Sequence, residues 1–266
     1  MPLRCVYTDL DGTVLGRGAS LFRDGDGRFT LLGARALEAC FRAGVEVVPV
    51  SGRRRDMLFE DTRLMGLSSF VYEIGAGMVI DGEDIPLAGG ITYEAIAASG
   101  APELLFDRFD GRLEYHAPWH EGRSVTHLMR GLVDTGEANA LLARSGHDEL
   151  RLVDNGAISP KPSLPGLPGP PHAYHLLPAA TSKAAGALAH MRARGYAPEE
   201  CIGVGDSRED LGVADVVGRF FLVANALEKD PGLAADMPPR AEVTEAGYGE
   251  GFYEAVVRSI AEARTK

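Results

Sequence analysis

The chain has 266 residues, 45% hydrophobic and 24% charged, with a formal net charge of −11. That charge argues against a nucleic-acid partner or an anionic membrane surface, both of which select basic patches. No apolar run reaches the ~18 residues of a membrane span, and the N-terminus shows no charged-then-apolar leader pattern. Cys5, Cys40 and Cys201 are far apart in apolar contexts, an odd count that suits buried thiols in a reducing cytoplasm rather than a disulfide framework.

In chain order, Leu3 to Thr8 reads as a short buried strand ending in Asp9-Leu10-Asp11-Gly12-Thr13. Leu31 to Ala43 has helical apolar spacing closed by Gly44, and Val45 to Val50 is a β-branched strand running into Ser51-Gly52-Arg53. A helix over Arg54 to Met65 and a third strand over Ser69 to Tyr72 follow. Apolar strands alternating with helices predict a Rossmann-like parallel sheet with helices on both faces.

The texture changes from Met78 to about Pro178, where short segments and two expected helices (Thr92 to Ala98 and Arg123 to Leu142) suggest an α+β insertion. Its proline-rich run, Ser159 to Pro171, is expected to be an irregular loop, because proline removes donors and fixes φ. From Lys183 the α/β pattern resumes: a helix to Arg194, a strand over Cys201 to Val204, a short helix over Leu211 to Val216, a strand over Phe220 to Val223 and a closing helix from Phe252. The expected organisation is a discontinuous α/β core, 1–80 plus 180–266, interrupted by an α+β cap domain, 81–179.

Chemistry-bearing residues collect at the expected strand ends, where open α/β sheets bind ligands. Asp9 and Asp11 point the same way from an extended chain. Such a pair suits a divalent cation, a nucleophile with an acid/base partner, or a solvated turn. Ser51 and the amide of Gly52 suit phosphate oxygens, or a plain turn and helix cap. Lys183 opens a helix, against the macrodipole, which makes sense beside an anion. Asp206 ends a strand and Asp210 begins a helix, as cation ligands or helix-start acids.

In their order and contexts these stretches make the sequence resemble the haloacid dehalogenase-like superfamily. Its four motifs look like Asp9-Leu10-Asp11-Gly12-Thr13, Ser51-Gly52-Arg53, Lys183, and Gly205-Asp206 through Asp210. The insertion looks like a type-2 cap. The chain is most similar to the Cof-like, sucrose-phosphate and mannosyl-3-phosphoglycerate phosphatase branch, and its tail from Val243-Thr244 to Phe252 looks like theirs. The resemblance implies a Mg²⁺-dependent phosphatase of a small phosphorylated metabolite, a sugar phosphate or phosphoglycerate derivative, with a cap that selects the leaving group. Asp9 would become an aspartyl phosphate and Asp11 would act as acid and then base. Asp9, the Asp11 carbonyl and Asp206 would hold Mg²⁺, with Asp210 close by. Ser51, Gly52 and Lys183 would hold phosphate oxygens, with Arg53 and Asn225 as further phosphate contacts. A phosphomutase or phosphotransferase using the same chemistry is the alternative, and a non-catalytic module a third reading. A monomer or homodimer is expected.

Two departures stand out. Relatives commonly carry Asn where Glu209 stands, and Glu-Asn-Gly where this chain has Glu73-Ile74-Gly75. His116 and His120 are spaced for zinc on a helix, but Pro118 between them argues against one. Trp119 is expected to pack within the cap, and Arg54 and Arg55 to be solvated.

Overall fold

The computed structural model describes residues 2–159 and 161–265; Pro160, in the proline-rich run, lies outside the described residues. The chain forms two compact units: residues up to Ile85 together with those from Lys183 onward, and Pro86–Ser182.

The first unit opens with β1 (Cys5–Thr8), α1 (Leu32–Ala43), β2 (Glu46–Pro49), α2 (Arg55–Met65), β3 (Ser69–Tyr72), β4 (Gly77–Ile80) and β5 (Glu83–Pro86). The inserted unit supplies α3 (Tyr93–Ala98), α4 (Ala101–Arg108), β6 (Leu113–Tyr115), β7 (His127–Gly131), α5 (Thr135–Arg144), β8 (Leu150–Ala157) and β9 (His172–Pro178). The chain then returns with α6 (Lys183–Arg194), β10 (Cys201–Gly205), α7 (Arg208–Leu211), β11 (Arg219–Leu222), α8 (Asn225–Lys229), α9 (Leu233–Asp236), β12 (Ala241–Val243) and α10 (Tyr248–Thr265).

Five strands of the first unit form a parallel sheet in the order β12-β11-β10-β1-β2. β1 is almost wholly shielded from solvent, which suits its continuous apolar run. Val6 joins the core beneath α1 and α10, where Ala36 and Cys40 meet Phe252, Ala255 and Val256. Cys5 and Tyr7 point to the opposite face, where Tyr7 reaches His190 of α6. Gly44 ends α1 at φ 67°, a left-handed position that costs glycine nothing.

The strand at Ser69–Tyr72 departs from the parallel expectation. It forms an antiparallel three-stranded sheet with β4 and β5 and joins the main sheet through a bridge between Val50 and Val71. The chain reverses just after it, through the left-handed residues Glu73, Ile74 and Gly75. That reversal favours a hairpin over a crossover.

The inserted unit has an antiparallel sheet, β6-β7-β9-β8. Thr92 caps α3 by accepting from the Ala95 N–H, and the Asn139 amide of α5 bonds to the backbone of Leu152 on β8. The helix expected over Arg123 to Leu142 is incorrect. His127–Gly131 is a central strand paired with β6 and β9, and the helix starts only at Thr135, where Asp134 caps it through the Glu137 N–H. Cross-strand pairing outweighed the helical spacing read across both segments. The expected Leu211–Val216 helix is a 3₁₀ turn over Gly212–Asp215 that follows α7.

Candidate active site

The carboxyl ends of β1 and β10 lie side by side, because Thr8 registers with Val204 and the Asp9 N–H extends the ladder to the Val204 carbonyl. This pairing brings Asp9 close to Asp206 and Asp210; carboxylate oxygens of all three lie within 4.8 Å of one another. Gly12 turns the chain away at φ 92°, and a Cβ there would stand 2.3 Å from Asp206 Oδ2, so no other residue fits.

Lys183, only 2% exposed, reaches in from the first turn of α6. Its ammonium donates to Asp9 Oδ1 at 2.8 Å and Asp210 Oδ1 at 2.7 Å. Burial alone would lower the lysine's pKa, but Asp210 and Asp9 outweigh it and raise it. The other oxygen of Asp210 is filled by the Ser207 hydroxyl at 2.6 Å and the N–H groups of Ser207 and Asp206. Asp210 therefore holds Lys183 and the loop after β10, with little capacity left for a ligand.

Asp9 is differently placed. Burial pushes its carboxyl up to about 8; Lys183 opposes this, and Asp210, Asp206 and Asp11 reinforce it. Asp206 is also raised, by burial first, against the pull of Lys229. Two neighbours of Asp206 were not anticipated. Lys229 of α8 donates to its Oδ2 at 2.7 Å, and the Thr13 hydroxyl to its Oδ1 at 3.4 Å. Thr13 lies within the first motif, so its position was legible. Lys229 had no sequence signal, because its approach depends on how the loop after β11 folds.

Asp11 is half exposed, and Arg53 grips it from the β2 edge at 2.7 and 2.6 Å while also bonding Asp61. Arg53, expected as a phosphate contact, pairs with these two carboxylates. Asn225, the other expected contact, is also bonded within the chain. Its amide donates to the Gly12 carbonyl at 2.9 Å and accepts from the Tyr248 N–H at 2.7 Å, so it ties the first motif to α10. Ser51 is buried at the end of β2, its hydroxyl accepting from the Arg53 N–H at 3.3 Å, with Gly52 beside it. The Glu73-Ile74 turn closes onto this loop through Glu73 N–H to the Arg53 carbonyl and Ile74 N–H to the Ser51 carbonyl, both 3.0 Å. Ile74 sits there at φ 59°, a costly conformation for a β-branched side chain and one that asparagine takes more readily. Arg55 pairs with Asp84 at 2.7 Å rather than being solvated.

In the inserted unit, His116 and His120 occupy a turn rather than a helix, with His120 stacked on Tyr115. Neither belongs to a group of three metal-ligating side chains among the described residues. Trp119 is 48% exposed rather than packed. Among the described residues, no helix is long and apolar enough to cross a membrane.

Four carboxylates (Asp9, Asp11, Asp206, Asp210) thus face three cations (Lys183, Lys229, Arg53). The residual negative charge, the oxygen-only donors and the raised Asp9 and Asp206 fit a hard divalent cation such as Mg²⁺.

No protein-family model matches the chain. A phosphoglycolate phosphatase of Haloarcula marismortui is 38% identical over 214 residues, 79% of this chain and 82% of the relative. One from Methanoculleus marisnigri is 27% identical over 264 residues, 96% and 95% of the two chains. The sucrose-phosphatase of Synechocystis sp., solved with sucrose and phosphate, shares the fold at a TM-score of 0.68 and 16% identity, over 97% of this chain and 98% of that one. With its parallel core sheet, its inserted α+β unit and these relatives, the chain belongs to the haloacid dehalogenase-like superfamily, in the family of these phosphatases, and is a phosphoric monoester hydrolase.

Proposed function

We propose that the chain is a Mg²⁺-dependent phosphatase of a small phosphorylated metabolite, with a phosphorylated hydroxy acid such as 2-phosphoglycolate as the first substrate to test. The observation that carries this reading is Asp9, a buried carboxylate at the end of the inner strand β1, one oxygen fixed by Lys183 and the other not engaged by it. The names of the relatives supply the substrate class.

Asp9 and Asp206, with the Asp11 carbonyl, would hold the cation, which when bound offsets the repulsion between an anionic nucleophile and an anionic phosphate. Lys183 fixes the Asp9 rotamer, so the second oxygen is available for in-line attack on phosphorus. As the new Oδ–P bond forms, the bond from phosphorus to the leaving alcohol breaks. Ser51, the Gly52 amide and Lys183 would take up charge on the equatorial oxygens. Asp11, oriented by Arg53, would protonate the leaving oxygen. It would then take a proton from the water that hydrolyses the aspartyl phosphate, returning Asp9 as carboxylate and releasing inorganic phosphate. The inserted unit would serve as a type-2 cap, selecting the leaving group.

The test is phosphate release from a panel of phosphorylated hydroxy acids and sugars, with Mg²⁺ and with EDTA. Release that needs Mg²⁺ and is absent in Asp9→Asn is expected. Phosphate moved between hydroxyls without net release would instead assign a phosphotransferase.

A further inference from the structure

The opposite edge of the same sheet carries a second cluster that phosphoryl chemistry does not use. Glu46, Cys5 and Cys201 are register partners across β2, β1 and β10, so their side chains stand in one row on one face. His190 of α6 lies over that row with no exposed surface. One ligand atom each from Cys5, Glu46 and His190 falls within 4.8 Å of the others, and Cys201 stands beside Cys5 as its register partner on β10.

The histidine is the telling group. Its Nδ1 is 2.9 Å from the Tyr7 hydroxyl, whereas Nε2 is buried without a hydrogen bond, 3.5 Å from Glu46 Oε1. A buried polar nitrogen beside the Cys5 thiol and the Glu46 carboxylate, with no hydrogen bond of its own, is a costly arrangement unless something accepts its lone pair. Glu46 is fixed as a ligand would be, accepting from Ser69 at 2.8 Å, Arg194 at 3.0 Å and Tyr196 at 2.8 Å. Glu46 and Arg194 are partly exposed, which gives a path from solvent.

We propose that Cys5, Cys201, His190 and Glu46 form a second, structural cation site for Zn²⁺ or a similarly thiophilic divalent ion, distinct from the oxygen-only site of Asp9 and Asp206. Two sulfurs, one imidazole nitrogen and one carboxylate oxygen are a tetrahedral zinc set. Bonds of about 2.0–2.3 Å bring ligand atoms to about 3.3–3.8 Å apart, so Cys5, Glu46 and His190 close by about 1 Å, and the Cys201 side chain, one strand further over, turns in to join them. His190 would carry its proton on Nδ1, donated to Tyr7, with Nε2 on the metal. Binding forms two metal–sulfur bonds and releases the two thiol protons. Two thiolates and Glu46 against a dication leave one negative charge, which Arg194 balances. The ion would pin β2, β1, β10 and α6 together at the edge away from the phosphatase site.

The test uses the full chain, reduced, stripped with EDTA, desalted and then saturated with Mg²⁺ so that the oxygen site is filled. Titration with Co²⁺ is expected to give a thiolate-to-cobalt charge-transfer band that saturates at one equivalent and is displaced by Zn²⁺. At a hundredfold excess over its Kd, Zn²⁺ raises Tm by about 5–10 °C. Cys5→Ser and Cys201→Ser each weaken the band, and the double variant loses it. Cys40→Ser, whose thiol lies in the core on the other face, keeps it. His190→Gln weakens binding at least about tenfold. Cobalt bound to the wild-type protein without a charge-transfer band, or a band that survives the Cys5→Ser/Cys201→Ser double variant, overturns the proposal. The wild-type spectrum decides even where a variant does not fold, and the result is independent of phosphate release.

Discussion

The two edges of one sheet treat buried carboxylates in opposite ways. At the amino edge, Glu46 receives hydrogen bonds from Ser69, Arg194 and Tyr196, with His190 beside it. Burial works against its charge, but His190, Tyr196 and Ser69 outweigh it and hold the carboxyl down at about 2. At the carboxyl edge, Asp9 shares one lysine with Asp210 and faces two further acids, and burial pushes it up to about 8. The sheet is the same, but Asp9 is the more enclosed of the two. The difference is the ratio of donors to charges. A matched carboxylate stabilises the fold, whereas an under-matched one stores electrostatic strain that a cation can relieve.

The sharpest way to break this comparison is to remove Asp9's charge. Asp9→Asn is expected to lower phosphate release at least about a thousandfold while Tm stays level or rises, because a strained buried charge is gone. A fall in Tm would place Asp9 with Glu46 as a stabilising acid.

Lys183→Met should be next in size. It leaves Asp9 and Asp210 buried without their shared cation, at a cost of about 3–5 kcal/mol in urea unfolding, with activity lost as well.

Glu46 gives a pH test. Its folded pKa lies below the ordinary carboxylate value of 4.5, so its stabilisation is complete above about pH 4.5 and is lost as pH falls toward 2. The effect is about 2 kcal/mol, discounted for partial exposure. Urea melts between pH 6 and 3 should show a steeper loss for wild type than for Glu46→Gln; equal slopes would remove the contrast between the edges.

The smallest effect is expected at Lys229, whose ammonium sits on Asp206 Oδ2. Lys229→Met should tighten Mg²⁺ binding about three- to tenfold by calorimetry, because a competitor for that oxygen is gone. Weaker binding would mean that Lys229 positions Asp206 rather than competing for it.

What the sequence made legible follows from locality. Asp9, Asp11, Ser51, Asp206 and Asp210 each stand within a few residues of the end of an apolar run, so strand-end logic places them without knowing the tertiary fold. Lys183 needs only the recognition of a helix start. Lys229, and the grip of Arg53 on Asp11 and Asp61, need the loops themselves, and no spacing reports them. The polarity of Asn225 and Arg53 at the strand ends is visible in the sequence, whereas their intramolecular partners are not. The misread helix over Arg123 to Leu142 has the same origin. His127–Gly131 is a strand because β6 and β9 flank it, and those partners are 12 or more residues away in sequence. Ile74 shows the reverse case: a departure seen in the sequence became intelligible only when its positive φ was known.

The Lys183–Asp9 pair has a further consequence, for the chain as it is made. The two residues are 174 positions apart, and β1 waits for Cys201 to complete its second neighbour. At ribosomal speeds of about 5–20 residues per second, Asp9 emerges about 10–35 s before its cation exists. Throughout that interval the nascent first segment carries an aspartate with no lysine beside it and a central strand open along one side. The inserted unit, contiguous from Pro86 to Ser182 and with its own sheet, has all its strands before α6 is synthesised. Vectorial synthesis thus orders assembly from the inserted unit outward, and makes the catalytic half, though first in sequence, the last to close.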